Sequence, residues 1–332
     1  MASDILVPVI LAMFIATLVS PLLQWFVIRR VPRPLAIVVV LALVLGVAGG
    51  IGYFLGDSIA DFSRRIPEFE RSLREKLATF SVILEGVGLD IRGADIAEEF
   101  DTKVIMEIVG GTLAALGAIV SEVFFVIVTL GFMLAEAAGL PRKLRLAFEI
   151  ADNAPLSGRS IISDIHRYLW VKTMISLLTG LGAWIILLVF KVEYAFLWAL
   201  VAFLLNYVPQ IGSLVATVPP VLLGWIQYDG TTAVGLLVCF LLLNGVLGTV
   251  LEPKWMGRSF GISALVVFLS LLFWGWVWGP VGMLLAVPLT MLVKILLSHD
   301  EQTRWISVLL GSGRELRQLE RGVADEGEAD SP

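Results

Sequence analysis

Charge is scarce in this sequence. Asp, Glu, Lys and Arg make up 16% of its 332 residues, against a hydrophobic share of 58% and a mean hydropathy of +0.90. Soluble domains carry about 25% charged residues, so this chain is too apolar to cover its surface in water. Cysteine is nearly absent: Cys239 alone, inside an apolar run, leaves no disulfide framework and no cysteine-based metal site. The two histidines, His166 and His299, lie far apart at the borders of apolar runs and make neither a metal site nor a hydrolase triad. No Gly-Lys pair occurs, which excludes a P-loop. The short alternating segments of an outer-membrane barrel are missing too. The net charge of -5, much of it in the acidic tail at 325–330, argues against nucleic acid as a partner, and the tail reads as a disordered, solvated end. No enzyme activity, cofactor or metal is expected.

What the sequence has instead is apolar blocks of about 20 residues, the length at which a helix crosses hydrocarbon. They predict an all-α polytopic membrane protein. Spans are expected at 5–28, 35–56, 104–135, 173–190 and 232–251. Arg29, Arg30 and Arg33 follow the first block, the reverse of a signal peptide, and put its C-terminal end in the cytoplasm. The second block carries Gly46, Gly49, Gly50, Gly52 and Gly56, which would let another helix approach closely. These two spans, 1–56, with the third form the expected frame. Residues 57–103 form an extramembrane amphipathic segment. Its stripe of Ile59, Phe62, Ile66, Phe69, Leu73, Leu77 and Phe80 faces either the membrane surface or another subunit, and Pro67 marks a kink or boundary. A third long span leads into a basic cytoplasmic segment (104–172), and residues 299–332 form a cytoplasmic tail.

Residues 173–298 hold the informative pattern. The block at 194–225 is too long for one straight span and too short for two. Pro209 and Gly212 interrupt it. The block at 262–297 is interrupted in the same way at Gly279, Pro280 and Gly282. Each follows a clean span, so the two units read as copies, the first entering the membrane from inside and the second from outside. This is an inverted repeat of span plus re-entrant hairpin, the sequence pointer to a transporter's central site. Two continuous kinked helices are the plainer alternative.

Polar residues inside hydrocarbon are costly and tend to be functional. Asn206 and Gln210 flank the first break, with Ser213 and Thr217 beyond it, and backbone groups freed at a break can ligate a polar solute or an ion. Asn206 could equally cap the broken helix end. Asn244 lies in the span between the hairpins. Glu252 at its end and Glu122 in the third block are the carboxylates available for proton coupling, although Lys254 could simply neutralise Glu252. Trp274, Trp276 and Trp278 cluster at the second break, for packing or for stacking on a substrate.

Several of these segments form long motifs in fixed order. They run Asn206-Tyr207-Val208-Pro209-Gln210-Ile211-Gly212-Ser213, Leu251-Glu252-Pro253, Met256-Gly257-Arg258, the stretch from Leu265 through Ser270 to Trp276, and Gly279-Pro280 through Thr290. Upstream stand Ser20-Pro21-Leu22 and Val31-Pro32-Arg33-Pro34-Leu35-Ala36. Over roughly residues 5 to 310 the chain resembles the autoinducer-2 exporter (AI-2E) family, and within it the quorum-sensing signal transporters. The resemblance implies a multi-pass secondary transporter of the bacterial inner membrane, exporting autoinducer-2 or a similar small polar metabolite. It also implies an elevator-like architecture and a homo-oligomer, a pentamer. Asn206, Pro209, Gln210, Gly212, Ser213, Thr217, Asn244, Ser270, Trp276, Gly279 and Pro280 would then bind substrate. Other relatives point to sodium (lithium)/proton antiport, and a membrane scaffold without a substrate is the third reading. Family members usually carry a further hydrophobic segment ahead of the one at Ile5.

Overall fold

The computed structural model describes residues 2–86, 110–111, 113–114, 123–136, 158–209, 211–256, 262–299 and 302–311. Every regular element among them is helical: α1 (Ala2–Ile28), α2 (Arg33–Gly86), α3 (Val123–Glu136), α4 (Gly158–Val189), α5 (Ala195–Leu205), α6 (Ile211–Gln227), α7 (Gly230–Asn244), a π-helical turn (Gly245–Leu251), α8 (Glu252–Met256), α9 (Ala264–His299) and α10 (Arg304–Leu309). Among the described residues, five stretches are by length and composition apolar enough to cross a membrane: Leu6–Ile28, Arg33–Lys76, His166–Val189, Gly230–Trp255 and Leu265–Lys294. Large apolar side chains point outward along them, Phe54, Val189, Leu242 and Leu265 among others. A water-soluble protein could not expose so many together.

The first two helices meet at a turn that ends α1 with Arg30 in the left-handed region, at φ 66°. The Val31 amide reaches back five residues to the Phe26 carbonyl, the pattern of a Schellman stop. Beyond it α2 differs from expectation. It is one helix of 54 residues, about 81 Å long at 1.5 Å per residue, and it runs through Pro67 without a break. Pro67 is exposed, so water can satisfy the carbonyl its ring leaves without a donor.

The two ends of α2 belong to different cores. The inner end, through Ala36 and Val40, packs with Ala12 and Leu23 of α1 and with Val126, Leu130 and Leu134 of α3. The outer end, through Leu55, Phe62, Phe69 and Leu73, packs with Leu187 of α4, Trp198 of α5, Leu223 of α6 and Phe240 of α7. From Ile59 to Leu73 the amphipathic stripe is therefore packed against this chain's own helices, and at Phe62, Phe69 and Leu73 it serves neither the membrane surface nor a second subunit; the side chains of Leu77 and Phe80 lie outside those described. Between the two cores, added methyl groups at Gly46, Gly49 or Gly50 would touch nothing within 4 Å, and the same holds at Gly56 beside Leu55.

A second correction concerns α4. The sequence suggests a span from Thr173 after a basic cytoplasmic segment, but the helix begins at Gly158 and its apolar stretch begins at His166. Lys172 is thus inside the helix and 3% exposed, which needs a partner to be tolerable.

Candidate functional site

Both interrupted blocks fold back on themselves. The Glu193 amide, just before α5, donates to Gln227 Oε1 at the end of α6 (3.1 Å), and the Tyr228 hydroxyl donates to the Lys191 carbonyl (2.8 Å). The two ends of the α5–α6 block are neighbours, so its break at residues 206–210 is a tip. In α9 the only non-helical residue is Gly279, at φ 62° and ψ -145°, a conformation that glycine tolerates. Trp274 Nε1 donates to Thr290 Oγ1 at 3.0 Å. Sixteen residues along a straight helix span about 24 Å, so the chain reverses at Gly279.

The tips are built alike. At each, a glycine lies under the carbonyl of a residue on the incoming helix: Gly212 under Leu205, Gly282 under Trp274. A side chain at either position would overlap that carbonyl. The residue four before each glycine, Val208 or Trp278, closes the other side. The α5–α6 hairpin opens at the Lys191 end of α4. The α9 hairpin opens at the other end, where Ile262 and Val267 pack beside Tyr168 and Leu169. Val208 of the first tip is buried with Leu271 and Ala286 on the two arms of the second hairpin, while Val281, beside the second tip, packs with Val7 of α1.

The polar residues fall into three groups. In the first, Asn206 is 9% exposed and donates from Nδ2 to Ser176 Oγ (3.0 Å), while the adjacent Tyr207 hydroxyl donates to Thr173 Oγ1 (2.8 Å). The first tip is therefore pinned to α4. Next to Thr173 in sequence, Lys172 Nζ lies 2.6 Å from Glu252 Oε1, with the two side chains 4% and 19% exposed. This corrects the expected partner of Glu252: it is Lys172, and Lys254 is exposed. Glu252 reaches this position through the π-helical turn, in which its amide bonds back to the Leu247 carbonyl. Pro253 follows, and its missing N–H ends the normal ladder there.

In the second group Asn244 Nδ2 donates to Thr217 Oγ1 (3.4 Å), and Thr217 in turn donates to the Ser213 carbonyl (2.7 Å). In the third, Trp274 and Trp278 stack at 4.7 Å beside the second tip, and the buried Ser270 donates to the Val267 carbonyl. Pro209 is half-buried at the first tip, while Pro280 is exposed beside Gly279. Trp276 is 85% exposed and belongs to none of these groups. Gln210 and Glu122 lie outside the described residues.

Sequence reasoning missed Lys172, Thr173, Ser176 and Tyr207. A signal was present: Thr173, Ser176, Thr179, Gly180 and Ala183 recur at steps of three and four on α4, a stripe of small and polar residues facing its neighbours.

Comparison with known proteins places the chain in a family of transporters. The profile of the AI-2E family transporters matches residues 1–301. The AI-2 transport protein TqsA of Escherichia coli (strain K12) is 40% identical over 314 residues, covering 93% of this chain and 90% of that protein. A candidate transport protein of Haemophilus influenzae is 36% identical over 324 residues, covering 96% and 93% of the two chains. One of Bacillus subtilis, YrrI, is 25% identical over 328 residues, covering 89% and 86%. The chain belongs to the AI-2E family of transporters, and it is an integral membrane protein, not an enzyme.

Proposed function

We propose that this protein is a secondary transporter of the bacterial inner membrane that exports autoinducer-2 or a similar small polar metabolite through a site between its two helical tips. One observation carries the reading: the Asn206 tip, buried against the second hairpin, is bonded to the same face of α4 that presents Lys172 to Glu252. A small hydroxylated solute could exchange hydrogen bonds with Asn206, Ser176, Thr173 and Tyr207 there, in surroundings that exclude most water.

The hairpins open toward opposite ends of α4, which supports an inverted pair of re-entrant hairpins and alternating access by an elevator-like movement. In this reading α1, α3 and the inner end of α2 form the frame. The outer end of α2 travels with the hairpins, because its Phe62 and Phe69 are buried among them. The uncontacted glycines between are the natural flexure. The family-implied homo-oligomer, a pentamer, would anchor the frame rather than the stripe.

The buried Lys172–Glu252 pair also favours a second reading, sodium/proton antiport. Glu252 would then trade a proton for the cation, with the Asn244, Thr217 and Ser213 oxygens as candidate ligands.

Transport in proteoliposomes separates the two. Labelled autoinducer-2 and labelled sodium are offered under an imposed pH gradient, with wild type, Asn206→Ala and Glu252→Gln. Loss of one charge-free hydrogen bond at Asn206 should raise the half-saturating substrate concentration by roughly tenfold, with assembly unchanged. Glu252→Gln should abolish gradient-driven accumulation and spare exchange. Full accumulation by Glu252→Gln would make the carboxylate structural, and no movement of either solute above empty vesicles would defeat both readings.

A further inference from the structure

The membrane-facing surface holds a groove that the transport site does not use. It lies between α1 and α4, has a volume of about 350 Å³, and is lined by Leu18, Pro21, Leu22, Trp25 and Trp170. Both tryptophans face outward, 45% and 51% exposed. From Leu18 to Trp25 the groove follows α1 for about 10 Å, from the arginine-bearing end of the helix toward its middle.

Its wall is mostly apolar and offers a polar solute little. Pro21 has no amide to give the Thr17 carbonyl, but the Ser20 hydroxyl donates to that carbonyl at 3.0 Å. The Thr17 hydroxyl is likewise spent on the Met13 carbonyl. What remains is an aliphatic trough between two indoles.

The mouth is the opposite in character. The Arg29 guanidinium stands over the Trp25 ring at 4.0 Å from its centroid, a cation–π contact that holds it at the rim. Arg30 is exposed beside it, and no carboxylate pairs with either among the described residues. On the same turn Arg33 Nε is buried without an acceptor among the described residues. Three guanidinium groups around one turn, beside an apolar trough, match a ligand with an anionic head and a hydrocarbon tail.

The geometry points to a bound anionic phospholipid, with an acyl chain in the groove between Trp25 and Trp170 and the phosphate at Arg29, Arg30 and Arg33. A second copy of the chain would satisfy the trough but not the arginines, and a small polar solute would satisfy neither.

The test uses the full chain in mild detergent and native mass spectrometry. Wild type is offered phosphatidylglycerol and phosphatidylethanolamine with the same acyl chains, beside Arg29→Gln/Arg30→Gln and Trp170→Ala. Wild type should retain phosphatidylglycerol by roughly tenfold over phosphatidylethanolamine. The arginine variant should lose that preference but still hold lipid, and Trp170→Ala should hold less of both. Equal retention of the two lipids by wild type overturns the proposal, as does an unchanged preference in the arginine variant. So does an oligomer that falls apart with Trp170→Ala, which would make the occupant a second copy. Should a variant fail to fold, brominated phosphatidylglycerol still decides the matter on the wild-type protein in bilayers. It should quench tryptophan emission more strongly than brominated phosphatidylcholine, and equal quenching overturns the proposal.

Discussion

Asp229 stands outside the membrane at the start of α7 and accepts hydrogen bonds from the Thr232 amide (2.8 Å) and the Thr231 hydroxyl (2.9 Å). These bonds, the Thr232 amide first, hold its carboxyl below the usual carboxylate range. A carboxyl depressed in the folded state stabilises the fold above its unfolded pKa, and the benefit is lost as pH falls through the folded value. Asp229→Ala should therefore melt at a lower temperature than wild type at neutral pH, and the gap should close in acid. Thermal unfolding in detergent across that range checks this, and a gap that stays constant would refute it. The site is partly legible at the same scale. Asn206 and Glu252 stand out because each interrupts or borders an apolar run. Lys172 does not, because it stands at the end of the basic segment read as cytoplasmic and only the fold brings Glu252 to it. Lys254 misleads for a related reason: two residues apart on a helix, side chains do not face each other.

The two tips invite a comparison among glycines. Gly212 and Gly282 each lie against a backbone carbonyl that an added methyl would overlap, whereas Gly46 meets nothing. Gly212→Ala and Gly282→Ala should each destabilise the protein by about 1–3 kcal/mol through forced displacement of the backbone. Gly46→Ala should stabilise by up to about 1 kcal/mol through helix propensity alone. Melting temperatures of the three variants test the ordering, and an undisturbed Gly212→Ala protein would contradict the tip geometry. The breaks are visible in the sequence as clustered Pro and Gly. Their form is not, because Pro67 and Pro21 sit within continuous helices while Gly279 reverses the chain. A proline removes one bond, and what surrounds the freed carbonyl decides whether the helix continues.

Across the whole molecule, span lengths follow from hydrophobic arithmetic, but which faces meet does not. Periodicity reveals that Phe62 and Phe69 lie on one apolar stripe. It cannot tell a neighbouring subunit from Trp198 of the same chain, whose ring meets Phe62 edge to face at 5.5 Å. Phe62→Ser should accordingly destabilise the fold by about 3 kcal/mol or more without releasing monomers. Size-exclusion chromatography beside a melting curve separates the two effects, and clean dissociation at an unchanged melting temperature would restore the intersubunit role. The Lys172–Glu252 pair has a consequence at this scale as well. With the opposite charges 2.6 Å apart, a body that carries both moves no net charge from them through the electric field of the membrane. A lone charge crossing 100 mV would feel about 2.3 kcal/mol. Neutralising Glu252 leaves Lys172 uncancelled, so in the proposed elevator this pair would contribute a net charge to the movement only while that carboxyl holds a proton.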